Sequence, residues 1–264
     1  AGSLGLLLLL GSDIAHLPWP AAVVLALSLS MVADSTAAPG NSISTRFAPA
    51  IPFAARFTGH ISSSTTQIIV VSAPSWRSTT GTLTVYTSDG KVWHRITSMP
   101  ARLGYGGLVP ASHRVQDTGT TPAGQFAMTE TFGRLPNPGT TMSYVKLTSD
   151  DWWVEDRRSH FYNQMRPGSA GGFRLSTTGF NSSEHLMAMG SQYDYVAVIN
   201  FNRPTTVIGR GAGIFLHANA SGLTAGCVSV DHDRMRSILR WLDPHAHPRI
   251  IIGPAAWLAT PLSS

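Results

Sequence analysis

Gly211–Val230 reads GAGIFLHANASGLTAGCVSV and contains Cys227, the only cysteine of the chain. Two short apolar runs lie within it, Ile214-Phe215-Leu216 ending on His217 and Val228-Ser229-Val230 following Cys227. The polar, glycine-containing segment between them reads as a loop, so the runs are expected to be adjacent strands, with an imidazole beside a thiol at their ends. The thiolate is the reactive form of cysteine, and a neighbouring imidazole can take the thiol proton. Gly226, lacking a Cβ, allows an unusual turn and close approach of a substrate carbonyl. Backbone amides at Gly226 and Cys227 would then face a developing oxyanion. The alternative is a buried structural cysteine and a hydrogen-bonded strand-end histidine.

Working outward, Gln67–Ser72 (QIIVVS), Thr82–Thr87 (TLTVYT) and Lys91–Thr97 (KVWHRIT) read as strands. Ser88-Asp89-Gly90 joins the last two as a β-hairpin. Gly104–Gly107 and Thr120–Gly124 carry turn residues and read as loops. Tyr195–Phe201 is a strand, and Asp233–Leu242 (DRMRSILRWL) places Met235, Ile238, Leu239 and Leu242 at helical spacing. Arg249–Ile252 is the last strand. Trp152–Asn163 mixes aromatics with charge and reads as a solvated loop with aromatic anchors. Arg157 and Arg158 are expected to be exposed charges, with substrate carboxylates as the alternative partner. Glu184-His185 is expected to be structural. The fold class is mainly β, a mixed sheet curled into a sandwich or barrel-like body with a few short helices.

Composition sets limits. The chain has 264 residues, 12% charged and 43% hydrophobic, and a net charge of +5. Its Lys and Arg are scattered rather than clustered with aromatics, which argues against nucleic acid and leaves an anionic envelope surface as partner. One cysteine excludes an internal disulfide, and no Cys/His cluster suggests zinc, so no metal or cofactor is expected. Leu6–Leu10 and Ala21–Val32 are apolar, the second too short to cross a bilayer alone. With Thr36-Ala37-Ala38 as a cleavage site, residues 1–38 read as an export signal, although no Lys or Arg precedes Arg46. A retained membrane anchor is the alternative. Residues 39–66 are rich in Pro, Ser and Thr and read as a linker, 67–254 as the catalytic domain and 255–264 as a tail.

His217 after its apolar run and Thr224-Ala225-Gly226-Cys227-Val228 resemble the motif of the L,D-transpeptidase catalytic domain, the YkuD-type peptidoglycan cross-linking enzymes. Gly119–Phe126, Trp152–Asp156, Phe161–Asn163, Tyr195–Asn202 and Trp241–Pro244 are similar to one branch of that family, in order, from about Gln67 to Pro254. The resemblance implies Cys227 as nucleophile and His217 as general base and acid. It also implies that Ala218 supplies a carbonyl to orient the imidazole, and that Gly226 and Thr224 support the oxyanion. The implied partner is a peptidoglycan stem peptide, the product a 3→3 cross-link through a thioester, and the place of work extracytoplasmic. A monomer is expected. Ala225 departs from the family, most of which has a second histidine there. An L,D-carboxypeptidase on the same scaffold and a non-catalytic wall-binding module remain as alternatives. A sortase-type site is disfavoured because Arg234 falls in the helix.

Overall fold

The computed structural model describes residues 54–57 and 59–261, all within one compact unit, Thr45–Ser264. The readings made for residues 1–38, and most of those for 39–66, lie outside the described residues. Among the latter, β1 (Gln67–Ala73), β2 (Thr80–Ser88), β3 (Trp93–Arg102), β4 (Leu108–Pro110), β5 (Thr121–Ala127), β6 (Thr131–Gly133) and β7 (Tyr144–Lys146) come first. They are followed by β8 (Asp151–Trp153), β9 (Met165–Pro167), β10 (Glu184–His185), β11 (Val196–Val198), β12 (Phe215–Ala218), β13 (Val228–Val230) and β14 (Arg249–Pro254). The helices are α1 (His232–Trp241) and α2 (Ala255–Ala259).

The fold is mainly β, as the alternating sequence implies. One mixed sheet runs β4-β5-β14-β1-β2-β3-β13-β12-β11-β6-β7, and a small sheet runs β10-β8-β9. The β2–β3 hairpin forms, with Asp89 Oδ1 accepting from the Lys91 and Val92 amides at 2.8 and 2.9 Å. Those two bonds draw Lys91 and Val92 into the turn, so β3 starts at Trp93. The helix read at Asp233–Leu242 is α1, and its N-cap is Asp231, which accepts from the Asp233 and Arg234 amides. Met235, Ile238 and Leu239 face the main core with Leu216, Val228 and Val230 of β12 and β13.

Two loop readings are corrected. Thr120–Gly124 does not form a loop throughout: Thr121–Ala127 is β5, held between β14 and β4. Its Pro-x-Gly chemistry is local, and the ladder on both sides overrides it. Trp152–Asn163 is not a solvated loop, because β8 belongs to the small sheet and Trp153, Tyr162 and Asn163 are buried. Trp153 Nε1 donates to Asn163 Oδ1 at 3.0 Å, so the indole is satisfied inside. Arg157 is paired with Asp117 at 2.6 Å and stacked on Phe180, while Arg158 is exposed as expected. Beyond β14, Leu258 of α2 is buried against Ile68 and Ile251 on the outer side of the sheet. No helix among the described residues is long and apolar enough to cross a membrane.

Candidate active site

β12 and β13 run parallel, with Leu216 opposite Val228 and His217 opposite Ser229. Leu216, Ala218, Val228 and Val230 point into the main core. Strand alternation therefore sends Phe215, His217 and Ser229 to the other face, and Cys227, one step before Val228, goes with them. Phe215 and Cys227 indeed share a second apolar cluster with Phe132, Trp153 and Tyr193. His217 and Cys227 open into one cavity of about 430 Å³, which also reaches Arg114, Glu155, Glu184 and Tyr193.

Thr224 pins the turn before the thiol. Its N–H donates to the Leu103 carbonyl at 3.1 Å, and its carbonyl accepts from the Tyr105 amide at 2.9 Å. Its hydroxyl donates to the Cys227 carbonyl at 2.7 Å and accepts from the Gly226 amide at 3.2 Å. The Gly226 N–H expected to face an oxyanion is thus engaged by Thr224 in this state. Gly226 itself has φ +132, and a Cβ there would stand 2.8 Å from both Arg114 Nη2 and the Thr120 carbonyl. Only glycine fits that backbone.

Cys227 is 8% exposed and His217 3%. Cys227 Sγ donates to the Gly213 carbonyl and accepts from the Phe215 amide, both at 3.3 Å. His217 Nδ1 donates to the Ala218 carbonyl at 2.7 Å, which fixes the proton on Nδ1 and leaves Nε2 as the basic nitrogen. Tyr193 packs its ring edge-on against the imidazole at 5.4 Å and donates its hydroxyl to Glu184 Oε1 at 2.9 Å. The two side chains thus share a face and a cavity, while the hydrogen bonds they make are to backbone.

Electrostatics keep the resting pair neutral. Burial pushes the Cys227 thiol up to about 12, with Glu184 adding to it, while the Phe215 amide and Arg114 oppose. Burial lowers His217 to about 4 against the pull of the Ala218 and Gln192 carbonyls. Burial thus disfavours a thiolate–imidazolium pair at rest. The arrangement suits a neutral base that takes the thiol proton as the sulfur bonds to carbon.

Burial also raises Glu155, beside Glu184, and raises Glu184 to about 7. A carboxyl raised above its unfolded value loses native stability as pH climbs from about 4.5 to about 7. Glu184→Gln keeps an acceptor for Tyr193 and removes that loss. Denaturant melts are expected to show the variant matching the parent at pH 4.5. It should be more stable by about 1–3 kcal/mol above pH 7, with the gap opening between. A gap independent of pH would contradict a raised carboxyl at the half-buried Glu184.

The model of the YkuD family, L,D-transpeptidase catalytic domain, matches residues 66–252. The chain belongs to that family. Comparison with curated proteins gives no match. Among solved structures, "Structure of Bdellovibrio bacteriovorus Bd1075" is similar at 17% identity and a TM-score of 0.36, over 72% of this chain and 48% of that one. The chain thus spans about half the length of that protein.

Within this L,D-transpeptidase-family domain, sequence reasoning singled out His217, Ala218, Thr224, Gly226 and Cys227, and the structure gathers all five along β12, the turn and β13. It gave no site role to Arg114, Glu155 or Tyr193 and read Glu184 as structural, yet all four line the same cavity. Arg114 and Tyr193 carry no motif signal. Glu155 was visible inside Trp152–Asp156, and a burial-prone aromatic pair beside a carboxylate was the available hint. No group of three or more His, Cys, Asp or Glu side chains among the described residues is placed to hold a metal ion.

Proposed function

We propose that the chain is an L,D-transpeptidase, a cysteine acyltransferase that works outside the cytoplasm on peptidoglycan stem peptides. The observation that carries this reading is the shared cavity of Cys227 and His217, with Nδ1 held by the Ala218 carbonyl so that Nε2 is the available base. Cys227 Sγ leaves its contact with Gly213 and attacks the carbonyl between the diamino acid at the third stem position and the terminal D-Ala. Its proton passes to His217 Nε2. The tetrahedral oxyanion is met by the Cys227 amide and, once Thr224 releases it, the Gly226 amide. As the C–N bond breaks, His217 returns the proton to the departing D-Ala amine, leaving a thioester. An acceptor amine then attacks the thioester, His217 takes the amine proton, and the thiolate leaves protonated. The product is a 3→3 cross-link, with no cofactor in any step.

Water in place of the amine gives an L,D-carboxypeptidase by the same chemistry. Purified tetrapeptide muropeptides, incubated with and without a second stem as acceptor and analysed by mass, test the assignment. Cross-linked dimer plus free D-Ala is expected. Tripeptide alone in both arms contradicts transfer, and unchanged substrate contradicts the enzyme reading.

A further inference from the structure

Arg114 follows the short 3-10 turn Ala111–His113 and is 5% exposed. Its Nε donates to the Thr120 carbonyl at 2.9 Å and its Nη1 to the Arg210 carbonyl at 3.0 Å. The guanidinium lies over the Phe201 ring, 5.5 Å from its centroid. Those contacts fix the group without neutralising it. No ion pair among the described residues involves Arg114. Nη2 has no hydrogen-bond partner among them and lies against Gly226, the residue before the thiol. Glu155 and Asp117 act on it from beyond ion-pair distance, and a buried charge with no direct ion pair is costly to hold, so its field acts on what lies nearby.

The cavity explains what that is. His217 is neutral at rest, and Ala225, next to Gly226, brings no charge. The other titratable groups lining the cavity are Tyr105, Asp117, Glu155, Glu184 and Tyr193, none of which can contribute positive charge. Guanidinium stays protonated at any working pH. We infer that Arg114 is the fixed cation of this site, a positioning residue held by two carbonyls against Gly226 to stabilise the negative charge that develops on Cys227 as its proton leaves. The inference rests on Cys227 being the nucleophile. The mutual electrostatic pull between Arg114 and Cys227 runs in the same direction, lowering the thiol against the push of burial.

Alkylation of Cys227 by iodoacetamide, followed by intact mass from pH 6 to 10, reads the thiol alone and does not depend on turnover. Thermal melts of each variant establish folding. Arg114→Gln is expected to slow alkylation about tenfold or more at each pH, a rise of one unit or more in the thiol. Arg114→Lys, which keeps the charge but not the fork, is expected to stay within about threefold of the parent. A folded Arg114→Gln with the parent's profile overturns the inference. Where the Gln variant does not fold, the Lys variant decides: retained reactivity supports the charge role, and a folded Lys variant slowed a hundredfold overturns it. Failure of the enzyme reading shows separately, as absence of acyl transfer by a parent protein whose thiol still alkylates in the expected pattern.

Discussion

Replacing His217 with alanine is expected to lower kcat for thioester formation by about 10²–10⁴-fold while leaving KM within a few-fold. The residue lies on the same sheet face as Cys227, and Nε2 is the one basic nitrogen the Ala218 bond leaves in place. Because burial lowers the imidazole to about 4, it remains an unprotonated base through the whole neutral range. The acid limb of the parent's kcat/KM profile should therefore fall near pH 4 rather than near 6.5, and that limb should vanish in His217→Ala. Stopped-flow measurement of acylation across pH 3.5 to 8 checks both. An acid limb centred near 6.5 would mean that the imidazole is solvated in solution.

Gly226→Ala is the second substitution with a large expected effect. The new methyl group would meet the Thr120 carbonyl at 2.8 Å, a backbone atom with no rotamer to yield, and Arg114 Nη2 at the same distance. The φ of +132 adds strain for any residue with a Cβ. Together these are worth about 3 kcal/mol or more, a fall in Tm of roughly 10 °C for a domain of this size. Acylation should fall as well, since the shift needed to admit the methyl displaces either Arg114 or the turn that presents Cys227. A Tm within about 2 °C of the parent would show that the turn relaxes freely.

What was legible in the sequence was whatever depends on near neighbours. The β2–β3 hairpin followed from alternation and Ser88-Asp89-Gly90, and α1 from the spacing of Met235, Ile238 and Leu239. The strands around the thiol followed from two apolar runs and a polar turn. What was not legible depends on distant pairing. Thr121–Ala127 carries turn residues yet is clamped between β4 and β14, the second of them far away in the chain. Trp152–Asn163 carries charges that suggest solvent, but the ring of Trp153 stacks on Phe132 and meets Phe215 edge-to-face. Arg114, Glu184 and Tyr193 reach the cavity from three separate segments, and no local pattern announces that convergence. The neutrality of the His217–Cys227 pair was equally hidden, because it comes from burial, and burial belongs to the assembled sheet.

The central claim is that Cys227 forms the acyl bond. Intact-mass analysis of the folded protein after incubation with a tetrapeptide donor or a carbapenem, followed by peptide mapping, addresses it directly. The account predicts one acyl adduct on Cys227, absent from Cys227→Ala, and loss of D-Ala from the donor. A folded parent protein that acquires no adduct, or a Cys227→Ala variant that acquires the same one, would contradict it.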